Sequence, residues 1–157
     1  MIELRKSCDT FLPEFWDEKL FSFDDYHFMQ TYSYGEYSRN LNVEVFRVIL
    51  TDGDKPLVMA QGLLRKTFLG GCILTIRGGP AYQSTNNEKL NLKYLRMFFL
   101  KLIEAINKDY RYCYINIIMY NEHEVATNIV LREAGLMRPF FERTPYITYM
   151  VTIYDDL

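Results

Sequence analysis

Hydrophobic positions along this chain change period several times, and each change marks an element. Residues 2–4 read as a short first strand. Asp9 is placed to cap a helix carrying Phe11, Phe15 and Leu20, with Pro13 in the first turn, where no amide donor is lost. Residues 26–29 lead into a second helix with Gln30, Tyr34, Tyr37 and Leu41 on one face, at spacings of three and four. Residues 43–50 are β-branched and aromatic. Asp52-Gly53 supplies a tight hairpin, because Gly tolerates positive φ, and residues 57–68 form the return strand. After a second turn at Gly70-Gly71, residues 72–76 complete a predicted three-strand antiparallel meander.

The period then becomes helical. Thr85 to Glu88 has capping-box spacing. Leu92, Leu95, Phe99, Leu102, Ile103 and Ile106 form an apolar face behind it, with the charged residues mostly opposite. Residues 112–119 read as a buried strand. Asn121 can cap a helix over 122–134, and Gly135 sits where a left-handed C-terminal cap belongs. Residues 136–141 lead to a last strand at 146–154. The order β-α-α-β-β-β-α-β-α-β implies a mixed α/β sheet with helices on both faces, in one domain spanning 1–157.

Composition removes several function classes. The chain has 157 residues, 49% hydrophobic and 24% charged, with net charge -2, which fits a folded protein. A sequence pI near 5.7 excludes the strongly basic profile of a dedicated DNA binder. No run is long enough to span a membrane, and the N-terminal residues lack signal-peptide order. Cys8, Cys72 and Cys113 are few, odd in number and far apart, so neither a disulfide framework nor a CxxC knuckle is expected. A reducing, cytoplasmic setting is the expectation from this cysteine usage. With only His27 and His123, a His-rich metal site is not expected.

Four short motifs carry a resemblance. Residues 28–37, from Phe28-Met29-Gln30 through Tyr34, resemble the "Q-x-x-x-W" helix of Fem-type aminoacyltransferases, with Tyr34 where Trp is common. Ile76-Arg77-Gly78-Gly79-Pro80 resembles their strand-ending "R-G-P", with one additional Gly. Leu131 to Leu136 resembles "L-x-x-x-G-F", and Pro145 to Thr148, running on to Asp156-Leu157, resembles "P-x-x-T … D-L". The resemblance implies the GNAT acyltransferase fold and the first of two such halves. It also implies transfer of an aminoacyl or acyl group onto an amine. The donor would be aminoacyl-tRNA, ahead of acyl-CoA, with no tightly bound cofactor. The acceptor would be a cell-wall or polysaccharide precursor. A second acyltransferase-like half or a homodimer partner would complete the unit.

Such chemistry needs a neutral amine, a polarised carbonyl and held partners; backbone donors at a splayed or bulged strand can serve the oxyanion. Arg77, Gly78 and Gly79 are the first candidates. A Gly-rich strand end admits a ligand close to the backbone, and Arg77 can grip phosphate or carboxylate. The alternative is a turn with Arg77 in solvent. Gln30 and Tyr34 could line an acceptor cleft, or pack and bridge instead, and Tyr82 is a candidate cleft wall. His27 reads as a structural hydrogen bonder, Cys113 as core, and Asn121-Glu122-His123-Glu124 as a helix start favoured by the helix dipole. The sequence departs from the family patterns in two places. No "[QR]-x-x-G-x-[GA]" pyrophosphate loop precedes either late helix, and Ala81-Tyr82-Gln83-Ser84 holds no carboxylate after the Gly-rich turn. A CoA-dependent N-acetyltransferase and a non-catalytic binding or assembly module therefore stand as alternatives.

Overall fold

In the computed structural model of the chain, residues 2–7, 11–24, 26–82, 88–119 and 124–137 are described. Asp9, Thr85, Asn121, His123, the expected strand at 146–154 and the Pro145 motif lie outside them. Six strands form one sheet: β1 (Ile2–Ser7), β2 (Glu44–Asp52), β3 (Lys55–Lys66), β4 (Cys72–Arg77), β5 (Ala81–Tyr82) and β6 (Cys113–Ile118). The order is β1-β2-β3-β4-β6, with β5 also paired to β3. The first four strands are antiparallel and β6 runs parallel to β4, so the sheet is mixed, as the element order requires.

The meander forms where the pattern places it. Asp52 pairs with Lys55, so the β2–β3 loop is Gly53-Asp54, with Gly53 at φ +59. Gly at the first of two loop positions suits the twist of the flanking strands. The register slips by one residue between Leu50 and Thr51.

Helix α1 (Pro13–Leu20) and helix α2 (Tyr32–Asn40) cover one face, and helix α3 (Glu88–Asp109) and helix α4 (Glu124–Glu133) the other. On the α3 side, Leu95, Phe98, Phe99, Leu102 and Ile106 bury against Val48, Leu50, Val58, Leu74 and Ile76. Each such side chain stabilises the fold by about 1.5–3 kcal/mol relative to exposure. On the α1 side, Trp16, Leu20 and Phe23 pack on Ile49 and Met59. Gly135, at φ +86, ends α4: its N–H donates to the Arg132 carbonyl and the Leu136 N–H to that of Leu131. That paired geometry is the Schellman cap.

Two helix readings need correction. In α1 the inward residues are Trp16 and the expected Leu20, whereas Phe15 is 40% exposed; Pro13 does stand at the helix start. Gln30 is not in the same helix as Tyr34. It closes a separate 3₁₀ turn, Phe28–Gln30, after which the Thr31 hydroxyl accepts from the Tyr34 N–H to start α2. The face of α2 that meets the sheet carries Gly35 and Ser38, while Tyr37 and Leu41 are exposed. Small residues face inward because polar side chains already fill the space beneath.

Candidate functional site

Those polar side chains begin with Arg47 and Gln61, register partners on β2 and β3. Both are 2% exposed. The Arg47 Nε–H donates to Gln61 Oε1 at 2.7 Å, and Nη2 donates to the Tyr32 carbonyl at 3.2 Å and to Glu36 at 3.1 Å. The guanidinium also lies 3.8 Å from the centroid of the Tyr32 ring. A buried cation is tolerated when charge, hydrogen bonds and an aromatic face together replace its water. A Cβ on Gly35 would land on Gln61 Oε1 and Arg47 Nη2, so this packing requires glycine.

Gln30 extends the network across a break in the sheet. β3 pairs with β4 as far as Gly62↔Ile76, and with β5 from Met59↔Ala81. Between these pairings the chain leaves through Gly78-Gly79-Pro80, whose Gly79–Pro80 peptide is cis. The Gln30 carboxamide fills the gap. Its Nε2–H donates to the Gln61 carbonyl at 2.9 Å and to the Arg77 carbonyl at 2.7 Å, and its Oε1 accepts the Gln61 N–H at 2.6 Å. Gln30 is fully buried, and the Trp16 indole N–H holds its carbonyl at 2.8 Å. The two bonds exchanged with Gln61 reproduce those of an antiparallel pair, so the side chain acts as one residue of the missing strand.

The glycine turn rests on this support. Gly78 adopts φ +64, and a Cβ there would lie 2.5 Å from the His27 ring; a Cβ on Gly79 would lie 2.6 Å from the Gln30 carboxamide. His27 Nδ1 accepts the Met29 N–H at 3.2 Å. Ring contacts run from His27 to Phe28 (4.6 Å) and on to the half-buried Tyr34 (5.9 Å), linking α2 to the turn. The Gly78 N–H donates to the Ile118 carbonyl at 2.8 Å. β4 and β6 are therefore paired from Cys72↔Cys113 through Arg77↔Ile118 and one residue further, with no splay among the described residues.

Among the described residues, the α1–α2 layer covers β2 and β3, and none of these helices covers the same face of β4 and β6. Successive register pairs on that face are Ile73/Tyr114, Thr75/Asn116 and Arg77/Ile118. Tyr114 is 60% exposed, Ile73 and Arg77 are exposed, and the other three are half-buried. No carboxylate among the described residues pairs with Arg77. An aromatic ring, an amide, a hydroxyl and the Arg77 guanidinium thus share one surface, with the means to grip an anion and stack a ring. Tyr82 turns the other way and packs against the α3-side core, so it does not share this face with Arg77. The structure brings together Arg77, Gly78, Gly79 and Gln30 and links Tyr34 through Phe28, but Gln30 faces backbone.

Arg47, Gln61 and Glu36 were not singled out from the sequence. Their signal is an Arg and a Gln inside otherwise apolar strands, Val45-Phe46-Arg47-Val48 and Met59-Ala60-Gln61-Gly62. Among the described residues, no His, Cys, Asp and Glu group could hold a metal ion, and no helix is long and apolar enough to cross a membrane.

The fold has solved counterparts. FemX superposes with a TM-score of 0.65 at 16% identity, covering 83% of this chain and 31% of FemX. A possible acetyltransferase from Clostridium difficile matches at TM-score 0.51 and 11% identity, over 95% of this chain and 99% of its own. A transcriptional regulator from Bacillus halodurans matches at 0.50 and 10% identity, over 95% and 100%. The chain has the GNAT fold. The GNAT-like unit spans about a third of the FemX chain. No protein-family model and no curated protein matches the sequence.

Proposed function

We propose that this GNAT-fold chain is an acyltransferase of the Fem-like type, moving an aminoacyl or acyl group onto an amine of a cell-wall or polysaccharide precursor. The observation that carries the reading is the FemX likeness over 83% of the chain, joined to an open sheet face that bears Arg77. Arg77 would hold a phosphate or carboxylate of the acceptor, with Tyr114 and Asn116 beside it. Holding donor and acceptor at reacting distance supplies much of the rate, so no Ser, Cys or His nucleophile is needed. The Gly78 N–H already serves Ile118, so the oxyanion must be met by another donor, from this chain, a second acyltransferase-like half or a second copy. Aminoacyl-tRNA is the donor this reading expects, which places the reaction in the cytoplasm.

The test is incubation with aminoacyl-tRNA and a cell-wall precursor peptide, read by mass spectrometry. An extended peptide is the expected product. Neither product nor precursor binding overturns the reading, and precursor binding without product points to a non-catalytic binding module.

A groove between α3 and α4 favours CoA-dependent acetyl transfer as a second reading. Leu92, Met97, Leu100 and Ile129 line it, with Lys89, Lys93 and the Arg96–Glu133 ion pair (3.2 Å) among its walls. Apolar walls suit a pantetheine arm and cations suit its phosphates. Calorimetry with acetyl-CoA tests this, and absence of binding at millimolar ligand removes it.

A further inference from the structure

Two of the three cysteines, 41 positions apart in sequence, are direct register partners on adjacent strands: Cys72 opens β4 and Cys113 opens β6. In a parallel pair, register partners project from the same face, here the α3 side, where both contribute to the core. Strands lie about 4.8 Å apart, within the Cα separation of about 4.4–6.8 Å that a disulfide spans. Both thiols are free, and the Cys113 S–H donates to the Tyr114 carbonyl at 3.7 Å. Cys72 is 2% exposed, whereas Cys113, on the last strand of the described sheet order, is half-exposed.

We propose that Cys72 and Cys113 form a reversible dithiol–disulfide site, oxidised by hydrogen peroxide and joining β4 to β6 at the end opposite the Arg77 turn. Cys113 is the sulfur an oxidant reaches first. Its thiolate attacks the peroxide: the S–O bond forms, the O–O bond breaks, and the leaving hydroxide takes up a proton as water. Cys72 then attacks the Cys113 sulfenic sulfur. The S–S bond forms, the S–O bond breaks, and the departing hydroxyl leaves as water with the Cys72 proton. Two thiols lose two electrons, and one peroxide becomes two waters. Burial, with the Cys113 thiol and the Glu44 carboxylate nearby, holds Cys72 protonated, so resolution accelerates as pH rises. Because the ladder holds the two residues in register, the bond forms within the folded chain.

Treatment of the full chain with hydrogen peroxide, followed by thiol counting and peptide mapping, tests this. The expected result is the loss of two of three thiols in the wild type, a mass lower by two hydrogens, and a linked fragment containing Cys72 and Cys113. Dithiothreitol restores both thiols. Cys8→Ser behaves as wild type except for its missing thiol, and Cys72→Ser accumulates a dimedone-reactive sulfenic acid at Cys113. A bond that includes Cys8, sulfinic acid at Cys113 with no linked fragment, or no reaction overturns the proposal.

Discussion

Gln30 bonds the main chain of Gln61 through its side chain, giving one hydrogen bond and receiving another as a neighbouring strand would. The same amide also takes the Arg77 carbonyl, so one side chain holds both banks of the gap between β4 and β5. Gln30→Met keeps the volume but leaves the Gln61 N–H, the Gln61 carbonyl and the Arg77 carbonyl unserved. An unsatisfied buried polar group costs about 1–3 kcal/mol, so the variant is expected to lose about 3 kcal/mol. The measurement is the urea midpoint at unchanged m. A loss below about 0.5 kcal/mol would show that water or rearrangement replaces the amide.

Gly35→Ala is expected to cost about 2–3 kcal/mol, because its methyl displaces the Arg47 guanidinium or the Gln61 amide. The cause is separable from helix propensity, which alone favours Ala over Gly. In an Arg47→Met background the penalty falls, since a flexible thioether gives way. A double-mutant cycle reads that coupling, and strict additivity of the two changes would contradict the contact.

Burial first, and then the neighbouring Cys113 thiol, push the Cys72 thiol from 9.0 up to about 12. The folded state therefore keeps this proton above pH 9 while the unfolded chain gives it up. Stability from this group is intact below pH 9 and is lost as pH rises towards 12, with a slope of at most about 1.4 kcal/mol per pH unit. Lysines and tyrosines titrate in the same window, so the readout is the difference between wild type and Cys72→Ala. The variant has the shallower decline, and parallel curves would refute the shift.

Arg77→Ala is expected to leave stability within about 0.5 kcal/mol, because the side chain is exposed. The proposed acceptor role puts its effect in binding: on that reading, affinity for a phosphate-bearing cell-wall precursor falls about tenfold or more, the scale of one charge-assisted contact. Arg77→Lys recovers only part, since an ammonium cannot form the bidentate grip. Calorimetry checks both variants, and unchanged affinity removes Arg77 from the site.

Local rules suffice for much of this molecule. Gly53 and Gly135 mark a hairpin and a helix end because positive φ is cheap for glycine. The β-branched runs become β2 and β4, and the 3.6-residue spacing of Leu95, Phe99, Leu102 and Ile106 becomes the buried face of α3. Element order alone then required a mixed sheet between two helical layers. Spacing misled in α2, where Tyr37 and Leu41 follow a core period yet face solvent. There the occupant of the space beneath the helix, Arg47 with Gln61, decides which side turns inward, and helical periodicity carries no information about a residue on another strand.

The candidate site divides along the same line. Arg77-Gly78-Gly79 was legible from its composition as a strand-ending turn, with Gly78 at positive φ. That Gln30 braces the turn instead of facing a cleft, and that Tyr82 turns to the opposite side from Arg77, depends on pairings made across the sheet. Cys72 and Cys113 show the rule most directly. Distance along the chain made them unrelated, and a parallel register made them neighbours. The sequence by itself determined what turns, caps and buries locally. Only the tertiary structure decided which buried polar groups meet, because a hydrogen-bond partner is chosen by register and packing between segments remote in the chain.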